Sequence, residues 1–179
     1  MKKIIFFVFA IVIALNTKAQ LSNDDCVNAI PITIGANGTA CVTGTTVNAI
    51  PTNFTGHACW PLLQDIPEVW YTYIVTGDQN VVTVTPNGGT PAQQVAVSLT
   101  NQPCGSGALS TCDVANTNGA AATANYIYAV GTQVWINVGS IVAQGGFQVC
   151  ISSTTPPAAP GGTCPTATVL CDKNPRFFC

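Results

Sequence analysis

Hydrophobic and polar positions alternate along this chain in short runs, and no segment shows a convincing helical period. The longest run rich in aromatic and β-branched residues is Glu68-Val69-Trp70-Tyr71-Thr72-Tyr73-Ile74-Val75-Thr76, a composition suited to a pleated, half-buried surface. Alternation places Val69, Tyr71, Tyr73 and Val75 on one face and Trp70, Thr72, Ile74 and Thr76 on the other. Large apolar groups on both faces predict an interior strand of a two-layer β structure. Further strands are predicted at 29–34, 40–46, 81–85, 94–99, 109–114, 126–130, 133–138 and 147–151. Pro31 assigns the first of these to a sheet edge, because proline donates no ladder hydrogen bond. Asn37-Gly38 is a turn signal, residues 51–64 and 116–124 read as irregular, and Gly131-Thr132 suits a two-residue hairpin between 126–130 and 133–138. About nine short strands at this spacing predict an all-β fold, an antiparallel β-sandwich.

Two segments lie outside that pattern. Lys2 and Lys3 precede an unbroken apolar stretch from Ile4 to Leu15, and Ala19 offers a cleavage position, which together read as a secretory signal peptide over residues 1–19. Twelve apolar residues fall short of the roughly 20 that span a bilayer, so no membrane insertion is expected after cleavage. Residues 153–163 are rich in Pro and Gly and read as a linker. The domain between is 20–152. The sixteen residues 164–179 are too few to bury a core and read as the truncated start of a second module.

Charge then removes several functions. Without Lys2, Lys3 and Lys18 the mature chain holds two basic residues, Lys173 and Arg176, against seven acidic ones, a net charge of −5. Residues 20–163 contain neither Lys nor Arg. Phosphate neutralisation needs such cations, so no nucleic-acid partner is expected, nor attraction to anionic lipid.

Nine cysteines in an exported chain point to disulfides. Cys26, Cys41, Cys59, Cys104, Cys112 and Cys150 fall in the domain, and Cys164, Cys171 and Cys179 beyond the linker. Six cysteines allow 15 connectivities. The Gly-rich turn between Cys104 and Cys112 predicts a bridge between those two; the pairing of Cys26, Cys41, Cys59 and Cys150 stays open. The odd total leaves either a free thiol or a thiol whose partner lies outside this chain.

Asn23-Asp24-Asp25-Cys26-Val27-Asn28-Ala29-Ile30, then Glu68-Val69-Trp70-Tyr71-Thr72-Tyr73, Cys104-Gly105, Cys112, Tyr126-Ile127-Tyr128 and Gly146-Phe147-Gln148-Val149-Cys150-Ile151 occur in an order that resembles an extracellular β-sandwich module of secreted Bacteroidetes proteins. That module is similar in layout to the jelly-roll domains of the pre-peptidase C-terminal type. The resemblance spans residues 22–152. It implies a jelly-roll-like sandwich serving as an accessory module for adhesion, gliding or polymer degradation within a larger secreted or cell-surface protein. Its partners would be other modules of the same polypeptide and extracellular polysaccharide or protein.

Catalytic chemistry finds little support. His57 is the sole histidine, and a nucleophilic pair with Cys59 would need a reduced thiol, against which a structural disulfide is the stronger reading. No nucleophile-elbow motif and no paired C-x-x-C elements are present. No cofactor is expected apart from Ca²⁺. Asp24, Asp25, Asp65 and Glu68 offer hard oxygen ligands without a competing cation, and they converge if the N-terminal loop lies beside the central strand. Among aromatics, Trp70 and Trp135 read as core, whereas Trp60, beside Pro61 in the irregular 51–64 stretch, is the candidate for stacking on a sugar ring. These residues predict a non-catalytic extracellular adhesion or interaction module, with a calcium-assisted carbohydrate-binding module accessory to a secreted hydrolase as the alternative.

Overall fold

The computed structural model describes residues 20–51, 66–104 and 111–156. The expected signal peptide, His57, Cys59, Trp60, Asp65, most of the expected linker and the segment carrying Cys164, Cys171 and Cys179 lie outside these residues. Nine strands run in chain order: β1 (Ile30–Pro31), β2 (Thr39–Thr45), β3 (Glu68–Ile74), β4 (Gln79–Pro86), β5 (Gln93–Thr100), β6 (Thr111–Val114), β7 (Ala122–Ile127), β8 (Gln133–Ala143) and β9 (Gly146–Thr154). Among the described residues, one 3₁₀ turn at Cys26–Asn28 is the sole helical element.

The strands form two sheets, ordered β1-β3-β8-β5-β6 and β2-β9-β4-β7. Strands β2 to β9 pair as nested antiparallel partners, β2 with β9, β3 with β8, β4 with β7 and β5 with β6. Closure through β4–β9 and β5–β8 folds this ribbon into a jelly roll. β1 is an added edge, parallel to β3, and its proline stands where a missing donor costs least.

The core lies between the sheets. Val69, Tyr71 and Tyr73 of β3, Val82 and Val84 of β4, Val95, Val97 and Leu99 of β5, Val134, Ile136 and Val138 of β8, and Phe147, Val149 and Ile151 of β9 are all buried in one cluster. Every second residue of each strand enters this layer, as the two-residue side-chain period requires. β3 lies between β1 and β8 with both faces covered, the interior position its two apolar faces predict.

Four expectations are corrected. Residues 122–124 are strand, not loop: Ala124 pairs with Val82 and Ala122 with Val84, and both alanines are buried with their partner valines. The segments around 126–130 and 133–138 do not form a hairpin. β7 and β8 belong to different sheets, and the chain crosses between them through a turn in which Thr132 N–H donates to Ala129 O and Gly131 adopts φ 87°. β9 continues to Thr154, past the strand predicted at 147–151, where Ser153 is buried and its hydroxyl accepts from Thr76 N and Gly77 N.

The fourth correction is the disulfide. Cys104 is bonded to Cys26, not to Cys112, with a Cα–Cα separation of 5.6 Å. The β5–β6 ladder fixes Cys112 opposite Ser98, inside the hairpin, whereas Cys104 lies beyond the strand end at Thr100 and meets the N-terminal segment. A second bridge joins Cys41 to Cys150, directly opposite one another on β2 and β9. Cys112 is also disulfide-bonded.

Candidate functional site

The N-terminal segment lies beside the central strand, the condition under which its acids would approach Glu68. Trp70 N–H donates to Asn23 O at 2.7 Å, and Asn23 Nδ2 donates back to Trp70 O at 3.1 Å. This reciprocal pair holds Asn23-Asp24 against the first residues of β3, and the Cys26–Cys104 bridge fastens the segment three residues later. Asp24 is 3% exposed and its Oδ2 has no hydrogen-bond partner. Glu68 is fully buried. A buried carboxylate oxygen without a partner is costly, because desolvation is not offset. Asp25 is exposed and points its chemistry at solvent, forming no side-chain cap on the 3₁₀ turn that follows. Asp65 lies outside the described residues, and no group of three or more His, Cys, Asp or Glu gathers among the described ones.

The outer face of the five-stranded sheet is mixed in chemistry and buried along one row, while Ile74 further along β3 on the same face is exposed. Alternation along β3, β8 and β5 aligns Trp70, Asn137 and Ser98 in one row across the sheet. Asn137 is fully buried and neither amide atom is hydrogen-bonded; Ser98 Oγ is likewise without a partner. Alternation alone could not reveal that this outer face is covered. Trp70 is 1% exposed, so the expected burial of this indole holds, but on the outer face and not between the sheets.

Two open clefts are lined by neutral side chains. One, about 260 Å³, is formed by Gln79, Asn80 and Val81 of β4 with Asn125, Tyr126 and Ile127 of β7. Tyr126 is 44% exposed, and its ring lies 4.7 Å from that of buried Tyr128. The second, about 330 Å³, runs between residues 31–34 and the β3 edge near Ile74. Sequence reasoning singled out Trp60, which lies outside the described residues, for sugar stacking and did not single out Tyr126. The signal it lacked was the edge position of β7.

Titration is perturbed at two tyrosines. Burial pushes the Tyr71 hydroxyl above its ordinary 10.0, partly offset by a hydrogen bond with Asn23. Burial, then proximity to Tyr128, pushes Tyr73 further upward. Both belong to the core and neither faces a base.

No family model matches this sequence, and no curated protein matches it. Among solved structures, the chain is similar to the pre-peptidase C-terminal domain of a collagenase from Bacillus anthracis, at 14% identity and a TM-score of 0.44 over 76% of this chain and 100% of that one. It is also similar to CorA, a surface-associated copper-binding protein of Methylomicrobium album BG8, at 9% identity and 0.45 over 70% and 98%. A third likeness is the CBM36-1 domain of a multidomain xylanase from the hindgut metagenome of Trinervitermes trinervoides, at 13% identity and 0.33 over 63% and 97%.

Proposed function

We propose that this chain is a non-catalytic extracellular interaction module, one unit of a larger secreted or cell-surface protein. The observation that carries this reading is the neutral lining of both described clefts. Such clefts offer amides, hydroxyls and apolar contacts for binding, but no acid–base pair for proton transfer. Disulfides at Cys26–Cys104 and Cys41–Cys150 support export, since they form and persist in oxidising surroundings. No helix of the described residues is long and apolar enough to cross a membrane.

A carbohydrate ligand is the second reading, favoured by Tyr126. Its exposed side chain sits beside Asn125 and Gln79, which can each donate and accept toward sugar hydroxyls. Calcium belongs to the same reading: buried Asp24, next to the Asn23 that pairs with Trp70, and buried Glu68, at the start of β3, are the residues that would bind it. Ca²⁺ would supply charge compensation and rigidity to the N-terminal segment.

The test is binding of the purified oxidised chain to insoluble and soluble neutral polysaccharides, with product analysis in the same tubes. Retention without released sugar supports the module reading, and Tyr126→Ala abolishes retention if the β4–β7 cleft holds the ligand. Released oligosaccharide would refute the non-catalytic assignment. For calcium, a melting temperature that rises with CaCl₂ and returns with EDTA is expected, and Asp24→Asn removes the response.

A further inference from the structure

The row that crosses the outer face of the five-stranded sheet ends at a cysteine: Trp70 on β3 lies opposite Asn137 on β8, Asn137 opposite Ser98 on β5, and Ser98 opposite Cys112 on β6. Glu68, Gly139, Ala96 and Val114 form the next row. Glu68, Trp70, Ala96, Ser98 and Asn137 are each at most 1% exposed. Among the described residues, every strand belongs to one of the two sheets and none crosses this face. Burial this complete requires chain lying on it.

Two observations say which chain. Cys112 is disulfide-bonded, whereas Cys26 is bonded to Cys104 and Cys41 to Cys150; its partner within the chain is therefore Cys59, Cys164, Cys171 or Cys179. Pro51 and Pro67 form an antiparallel bridge, and Ile66 is buried with Ala96, with Val114 and Ile141 packed against the pair. Residues 52–65 thus leave and rejoin the described fold at one place, and the end that rejoins already rests on the outer face. Cys59 stands midway, eight residues from Pro51 and eight from Pro67. β3 and β6 are three strand spacings apart, about 14 Å. The chain from Ile66 to Cys59 extends to at most ~25 Å, enough to reach Cys112. We infer that residues 52–65 cover the outer face of the five-stranded sheet, fastened there by a disulfide between Cys59 and Cys112.

Exposure along β3 separates this occupant from the segment beyond the linker. That segment would arrive from the end of β9, where Ser153 bonds to Thr76 and Gly77 just past β3. The Ile74 end of β3 lies there, and it is open: Ile74 is 52% exposed and Gln133 opposite it is exposed. The fully buried end is at Glu68, next to Ile66. One consequence rests on the binding reading above. A ligand is left the outer face of the four-stranded sheet, where Thr39, Thr43, Thr85, Thr123 and Asn125 are exposed and the cleft with Tyr126 lies at the edge. Trp60, one residue from the bridge, is tied to the other sheet.

The experiment is peptic mapping of the oxidised full chain by mass spectrometry without reduction, after alkylation of free thiols. A peptide containing Cys59 joined to one containing Cys112 is expected. An alkylated Cys59, or Cys112 joined to Cys164, Cys171 or Cys179, overturns the assignment. The cover is read by hydroxyl-radical labelling of Trp70, expected to be slow in the wild type and several-fold faster in a folded C59A/C112A variant. Equal labelling in the two would show that the bridge does not hold the cover in place. If the variant fails to fold, the mapping decides alone, since it needs no substitution. Neither measurement involves a ligand, so failure to bind polysaccharide leaves the bridge standing, and a different bridge leaves the binding reading standing.

Discussion

Gly44→Ala is the substitution whose consequence follows most directly from the packing. Gly44 lies in β2 opposite Phe147 and faces the core. A Cβ there would collide with the Tyr71 hydroxyl and come within 2.8 Å of Cε2 and Cζ of Phe147. Neither ring can step aside: both are buried, and they pack edge to face with centroids 6.3 Å apart. Overpacking of this kind costs about 1–3 kcal/mol. Alanine restricts the unfolded chain and returns about 0.4–1 kcal/mol, so any measured net loss already requires the clash. With an unfolding entropy near ~2.1 cal/mol/K per residue over a domain of about 130 residues, each kcal/mol is worth roughly 4 °C. The net loss of up to about 2.6 kcal/mol corresponds to a fall in melting temperature of up to ~10 °C by calorimetry of the oxidised protein. Tyr71→Phe removes the colliding oxygen at the expense of its bond with Asn23, about 0.5–1.5 kcal/mol. The G44A penalty should therefore shrink in the Y71F background, with a coupling of about 0.5–3 kcal/mol. A stabilising G44A, or an identical penalty in both backgrounds, would show that the glycine is not there to admit the tyrosine.

Three further outcomes are expected. Asn137→Leu removes a buried amide that has no hydrogen bond and should stabilise the fold by about 1–3 kcal/mol in urea titration; destabilisation of that size would mean that the amide is bonded in solution. Tyr71 and Tyr73 have folded pKa values raised above 10.0. Their contribution is complete below that unfolded value and declines as pH rises through the folded ones. Stability should thus fall above about pH 10, less steeply in Y73F, and an unchanged alkaline melting curve for Y73F would refute the assignment. Non-reducing peptide mapping should recover Cys26 joined to Cys104 and Cys41 joined to Cys150; serine replacement of either pair should cost about 2–5 kcal/mol, and recovery of Cys104 joined to Cys112 would reverse the correction.

Much of this protein was determined by local chemistry. Aromatic and β-branched residues in period-two runs define strands whatever lies around them, so β3 at Glu68–Ile74 and its two-faced burial were readable from the chain, as was the edge position of Pro31. The absence of Lys and Arg from 20 to 163 is a property of composition, and the expectation of no polyanionic partner rests on it alone, without any coordinates. Tertiary structure alone decided pairing. Gly131-Thr132 has the chemistry of a hairpin turn, yet the strands on either side enter opposite sheets, because β7 is held by β4 and β8 by β3 and β5. Ala122 and Ala124 carry no strand signal of their own; they become strand by pairing with Val84 and Val82. Disulfide connectivity is of the same kind. A Gly-rich turn makes Cys104 and Cys112 neighbours in sequence, but the β5–β6 register and the docking of the N-terminal segment on β3 bring Cys26 to Cys104 across a separation of 78 residues. Local preference sets what each segment becomes; which segments meet is set by the one arrangement that buries all their apolar faces together.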